Sequence, residues 1–258
     1  MGVGGLLQAA ANAREVRAYR VALRAQRSTL GLAALAVGVY PLAFYSSMRL
    51  AGVAIGTVVS IGSAPAAAAV IERVADLRPL SRRWAAGTAV GLLGVIELAV
   101  WGTHATATAS TDTRRLWGVI LGVAAGVTYA CYSWGAARVM RSGVPPGPTM
   151  GTIFGMGGVL LAPVLVATGA PILQSARNLA AASYMAAVPM FVGYVLFGRG
   201  LASISASTAT TISLLEPAVA TLLATVVLHE QLAPAGWAGL VAIGFSVVIL
   251  AVAPKPAS

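Results

Sequence analysis

The chain has 258 residues, of which 58% are hydrophobic and 9% charged, with a formal net charge of +10. A soluble domain carries about 25% charged residues, and 9% cannot cover a water-exposed globule of this length. The +10 balance does not indicate a nucleic-acid partner either, because the basic residues lie between or at the ends of apolar runs.

Residues 1–29 come first and are the most basic stretch. Arg14, Arg17, Arg20, Arg24 and Arg27 recur at three- and four-residue steps, which places them on one side of a helix. Val16, Tyr19 and Leu23 fall roughly opposite. Two readings stay open: a helix lying on an anionic inner leaflet, or a positive flank that fixes topology. The five Arg also interrupt the one place where the apolar core of a secretory signal could sit.

Eight runs follow with almost no charge: 30–48, 52–71, 84–101, 116–137, 149–168, 181–198, 204–227 and 235–253. A helical membrane crossing needs roughly 20 mainly apolar residues, so each run predicts one span. The fold class is therefore an all-α, polytopic membrane bundle. A membrane β-barrel would show alternation over about ten residues instead of solid runs. Only Glu97 and Glu216 bring ionisable charge into these runs.

Basic residues near span ends set orientation. With residues 1–29 inside, thirteen of the 17 Lys+Arg fall in inner segments, and only Arg49, Arg114, Arg115 and Arg177 remain outside. Eight spans return the tail 254–258 to the inside, so both termini are expected in the cytoplasm. Sixteen of the 17 basic residues are Arg, a skew that, with the abundant Ala and Gly, points to a GC-rich bacterial genome and hence to the bacterial plasma membrane. Cys131 is the one cysteine, which excludes an intramolecular disulfide.

The chain repeats itself. Leu50-Ala-Gly-Val-Ala-Ile-Gly-Thr57 matches Leu201-Ala-Ser-Ile-Ser-Ala-Ser-Thr208; Pro65 then matches Pro217, and Trp84 with Gly91 matches Trp237 with Gly244. An odd number of spans separates the copies: run 52–71 crosses inward and run 204–227 outward. Inverted repeats of this kind characterise secondary transporters, whose site lies near the midplane where the repeats meet.

The stretch from Leu201 to Val252 carries Ser213-Leu-Leu-Glu216-Pro217, then Leu-His229-Glu230-Gln-Leu, then Trp237-Ala-Gly. It resembles the EamA domain of the drug/metabolite transporter superfamily. His229 stands where that family usually has Gly. Residues Ala51 to Val100 match more weakly, and Thr128-Tyr-Ala-Cys-Tyr-Ser-Trp134 with Arg138 resembles the opening of an EamA repeat. The resemblance implies ten helices in two five-helix repeats. The second repeat, 116–253, is complete, whereas the first, 30–101, holds three spans. Either the start is assigned downstream of two further helices, or the protein is an eight-helix variant. What the resemblance implies for activity is alternating access around a site between spans 30–71 and 181–227. The cargo would be a small metabolite, such as an amino acid or amphipathic amine, carried outward. The rival is a truncated, non-transporting membrane protein, inactive or acting as a partner subunit.

Several residues are candidates for contacting or coupling the cargo. Glu216 lies near the middle of its span, where a charge costs roughly 2.5–3.5 kcal/mol on insertion scales, and Pro217 beside it frees backbone carbonyls. Glu216 either lines the translocation path, taking a cationic group or a proton, or is a protonated acid hydrogen-bonded between helices. Glu97, towards the outer leaflet, either rims the cavity mouth or snorkels to the surface. Tyr45, Tyr129 and Tyr194, with Tyr40, Tyr132 and Trp134, bring aromatic faces into spans, for a ligand or for packing. Ser63 and Pro65 in one repeat, and Thr210, Thr211 and Ser213 in the other, offer hydroxyls beside a proline or interhelical hydrogen bonds.

Trp84, Trp117 and Trp237 open their spans as interface anchors. Glycines four apart on one face, Gly118, Gly122 and Gly126, with Gly52/Gly56, Gly87/Gly91 and Gly151/Gly155, allow close helix approach, within the bundle or along a homodimer seam. No nucleophile–base pair, metal-ligand spacing or phosphate loop is present in the sequence, so neither enzyme activity nor a cofactor is expected. Membrane lipids and a small-molecule substrate are the expected partners.

Overall fold

The computed structural model describes residues 2–101, 112–227 and 232–251. Among them the regular elements are helices, with no strand: α1 (Gly2–Ala11), α2 (Ala13–Ala18), α3 (Arg20–Ala25), α4 (Arg27–Ala51), α5 (Val53–Ala75), α6 (Arg82–Trp101), α7 (Asp112–Arg141), α8 (Pro146–Thr168), α9 (Ala176–Ala187), α10 (Tyr194–Leu201), α11 (Ala206–Ile212), α12 (Leu215–Val227) and α13 (Pro234–Ala251). A 3₁₀ turn (Ala170–Gln174) precedes α9, and a π-helical turn (Val188–Gly193) joins α9 to α10. The described part of each of the eight apolar runs falls on one of these helices or helix series. Six are long and apolar enough to span a bilayer by length and composition. Their outer faces remain apolar: Val166 is 86% exposed and Val226 69%, which suits hydrocarbon and not water.

Helices α4 and α5 are separated by the single residue Gly52, at φ +90°. Only glycine enters that region without a steric cost, so two long helices are joined by one residue. Gly143 (φ +93°) closes the C-terminus of α7 in the same way, its N–H donating to the Met140 carbonyl.

The chain divides into two compact units, one made of Met1–Pro41 and Cys131–Ser205, the other of Leu42–Ala130 and Ala206–Ser258. Compactness thus groups the chain differently from sequence repetition.

In the first unit, residues 1–29 do not form the single basic segment that their charge suggests. The five arginines are exposed on α2, α3 and the start of α4, but α1 is apolar and packs against α8. The reason is small residues on both helices. A Cβ at Gly5 would fall 2.1 Å from the Phe154 carbonyl oxygen, and one at Gly158 would fall 2.6 Å from that of Gly2. The backbones touch, an approach that glycine faces permit. Gly4, Gly5 and Gln8 are buried there.

In the second unit the core gathers Ile61, Val95, Leu98, Leu214, Ala218 and Ile243. Helices α6 and α13 approach most closely at glycines, where a Cβ at Gly94 would lie 2.7 Å from the Gly239 carbonyl oxygen and 2.9 Å from Ile243 Cγ1. Beyond them the Ser246 hydroxyl donates to the Gly87 carbonyl at 2.7 Å. The α7 ladder is likewise filled from within this unit, Gly118 by Ala51, Gly122 by Ser47 and Val59, and Gly126 by Ser60 and Ser63. Of the two uses expected for these faces, the structure shows internal packing. Gly94→Val is expected to destabilise the protein by about 1–3 kcal/mol through overpacking. Gly244→Ala, at a position with nothing within 4 Å of its Cβ, should change little. Thermal unfolding of the two variants in detergent checks the contrast.

Candidate functional site

Two clusters of chemistry-bearing side chains stand out, one in each unit. In the second unit, the run 204–227 is an interrupted helix: α11 stops at Ile212, and α12 begins at Leu215. Pro217 is the local cause, since it has no N–H to offer the Ser213 carbonyl four residues back. That carbonyl takes the Glu216 N–H at 3.0 Å instead, and Leu214 N–H donates to Thr211 at 3.0 Å, so the backbone tightens by one residue. Interrupted helices of this type supply binding groups in membrane transporters.

Around the break, the Tyr129 hydroxyl lies 2.5 Å from Ser213 Oγ, and Thr88 Oγ1 lies 3.1 Å from Thr211 Oγ1. Tyr129 and Ser213, two sequence candidates 84 residues apart, are thereby brought together. Thr210 is fully buried, and its hydroxyl donates to the Ala206 carbonyl at 2.9 Å, back into its own helix. Ser63 does the same towards Ser60 at 3.4 Å, beside Gly126. Pro65 is buried within α5. Glu216 is exposed, and its carboxyl group makes no hydrogen bond or ion pair among the described residues. Glu97 is exposed on α6, its Cβ beside the Gly239 approach. Tyr45 is 59% exposed and stands edge-to-face with Phe44, at 5.4 Å between ring centroids.

One residue that the sequence reading passes over is Glu72. It sits at the end of α5, just beyond the run 52–71, and is 2% exposed. Its carboxylate accepts from Ala206 N at 2.8 Å, from Ser207 N at 3.4 Å and from Ser207 Oγ at 2.5 Å. A carboxylate in the last turn of a helix opposes the local dipole, whereas one at a helix N-terminus is favoured by it. Glu72 resolves the conflict by capping α11. An acid in the last turn of an apolar run is the sequence signal for such a residue.

In the first unit, aromatic rings from α4, α7, α8 and α10 converge. The Tyr132 hydroxyl lies 3.2 Å from that of Tyr194. Phe154 stands 4.4 Å from the Tyr194 ring and 5.6 Å from that of Tyr132, while Tyr40 approaches Tyr132 edge-on at 6.1 Å. These are attractive offset and edge geometries. Tyr40, Tyr132 and Tyr194 were candidates by type; Phe154, inside a plain apolar run, gives no signal of its own. The Arg138 guanidinium covers the Trp134 ring at 5.3 Å, a cation–π contact. The turn at His229-Glu230 and the tail from 252 onwards lie outside the described residues.

Comparison with known proteins places this architecture. The EamA-like transporter family matches residues 116–252. A relative from Bacillus subtilis (strain 168), the uncharacterized transporter YwfM, is 30% identical over 226 residues, covering 87% of this chain and 73% of its own. The chain belongs to the EamA-like transporter family. A protein of known crystal structure shares the fold, with a TM-score of 0.75 at 17% identity over 96% of this chain and 86% of that one. As an EamA-like protein of the drug/metabolite transporter type, this chain is a multi-pass integral membrane transporter. The match runs from within α7 to the end of α13 and includes the interrupted helix and the α7 aromatics Trp117, Tyr129, Tyr132 and Trp134.

Proposed function

We propose that this EamA-like protein exports a small metabolite, such as an amino acid or amphipathic amine, across the bacterial plasma membrane by alternating access, with both termini cytoplasmic. The observation that carries the reading is the α11–α12 break, which holds Glu216, its carboxyl unpaired among the described residues, three positions after Ser213, the partner of Tyr129. An acid within an apolar span costs roughly 2.5–3.5 kcal/mol on insertion scales. If it served only to join helices, a hydrogen-bonding partner would offset that cost. No described residue supplies one, which favours an acid that meets a cationic cargo group or a proton. Transport would then be secondary, driven by a gradient.

The test is uptake into proteoliposomes of the purified chain, screened over labelled amino acids and amphipathic amines with and without an imposed pH gradient. Saturable, protein-dependent flux of at least one of these compounds is expected. Flux equal to protein-free vesicles for every compound overturns the reading in favour of a non-transporting membrane protein.

A further inference from the structure

A polar cleft of about 230 Å³ opens in the first unit between α1–α2, the start of α8 and α10. None of its lining residues belongs to the unit that holds α11 and α12. Gln8 lines it and is fully buried. Gln8 Nε2 donates to the carbonyls of Met190 and Phe191, at 3.4 and 3.3 Å, on the π-helical turn. That leaves Gln8 Oε1 buried with no partner among the described residues. A buried acceptor without a donor is uncommon and asks for an explanation.

Two more acceptor side chains, Asn12 and Glu15, line the same cleft. Asn12 donates through Nδ2 to the Gln8 carbonyl at 2.8 Å, which turns its Oδ1 the other way. A Cβ at Gly147 would lie 2.5 Å from Asn12 Oδ1 and 3.0 Å from Glu15 Oε2, so both oxygens converge over the first turn of α8. That turn reads Pro146-Gly147-Pro148, and Gly147 alone among these three carries an N–H. A helix start is a favourable place for a carboxylate such as that of Glu15. On another wall is Arg199, in the last turn of α10. Glu15 and Arg199 make no ion pair with each other or with any other described residue. Met150 adds an apolar surface.

We propose that this cleft binds a small zwitterion, in its simplest form an α-amino acid. Asn12 Oδ1 and Glu15 Oε2, which converge over Gly147 on the cleft that Gln8 also lines, match N–H donors of an ammonium group. The Arg199 guanidinium matches a carboxylate, which it can hold through two parallel hydrogen bonds. The volume is below the roughly 300–1,000 Å³ of sites for drug-sized ligands, and it suits a short side chain lying against Met150. The cleft does not rest on the transport reading, because occupancy alone is at issue.

The experiment is equilibrium binding of labelled L-alanine to the full chain in detergent, with methylammonium and acetate as probes carrying one charge each. Saturable alanine binding is expected, with each single-charge probe at least tenfold weaker. Glu15→Gln and Arg199→Gln should each weaken alanine binding at least tenfold without lowering the melting temperature, since both side chains are exposed. Gly147→Ala, which pushes Asn12 Oδ1 and Glu15 Oε2 aside at constant charge, should weaken it as well. Absence of saturable binding by the folded protein overturns the proposal. So does alanine affinity unchanged in both charge variants, or methylammonium binding as tight as alanine.

Discussion

Glu72→Ala is expected to lower the unfolding free energy by about 2–3 kcal/mol. The substitution removes the acceptor for two backbone N–H groups and one hydroxyl at the start of α11, in a place where Glu72 itself is 2% exposed and water cannot replace it. Each buried donor left without a partner costs about 1–3 kcal/mol, and relief from burying the carboxylate offsets part of the sum. Glu72→Gln keeps one carbonyl oxygen as acceptor but brings an NH₂ towards donors, so its loss should be smaller than that of alanine and still measurable. Thermal or denaturant unfolding of the purified protein in detergent gives the comparison. A melting temperature for Glu72→Ala equal to wild type would show that the α5–α11 connection is not held by this carboxylate.

Glu216→Gln should reduce proteoliposome transport at least tenfold while leaving the fold intact. Glutamine preserves size and polarity but neither charges nor takes up a proton in the working range of pH. Because Glu216 is exposed and its side chain makes no hydrogen bond or ion pair among the described residues, no structural interaction is lost. Removing an ionisable group from an apolar span leaves stability equal or slightly higher. The two readouts together separate the roles: low flux with unchanged melting marks a residue on the transport path. Wild-type flux at both acidic and alkaline pH would reject that role for Glu216.

The contrast between these two acids shows how far a sequence reading reaches. Glu216 stands in the middle of an uncharged run beside a proline, so its cost is visible without coordinates. Glu72 sits one residue beyond a run, where an acid looks like an ordinary span end. Its importance comes from Ala206 and Ser207, more than 130 residues away in the chain. The hydroxyls divide in the same manner. Thr210, Thr211 and Ser213 are alike by type and position and each donates back to a carbonyl of its own helix, yet Thr211 also meets Thr88 and Ser213 also meets Tyr129. Local spacing cannot tell these fates apart.

By itself, then, the sequence determined the solvent of the protein, its helical class and the family. All of these depend on how many consecutive residues are apolar and on short local patterns, because the bilayer requires every spanning backbone group to be bonded within its own segment. Tertiary structure decided which faces meet. It placed α1 against α8 through backbone contact at glycines, although the arginines that follow suggest a charged flank for the whole of residues 1–29. It also gathered Gln8, Asn12, Glu15, Gly147 and Arg199 around one cleft. Small residues and lone polar groups carry little information until a neighbour is fixed opposite them, and that neighbour is chosen by packing over long sequence separations.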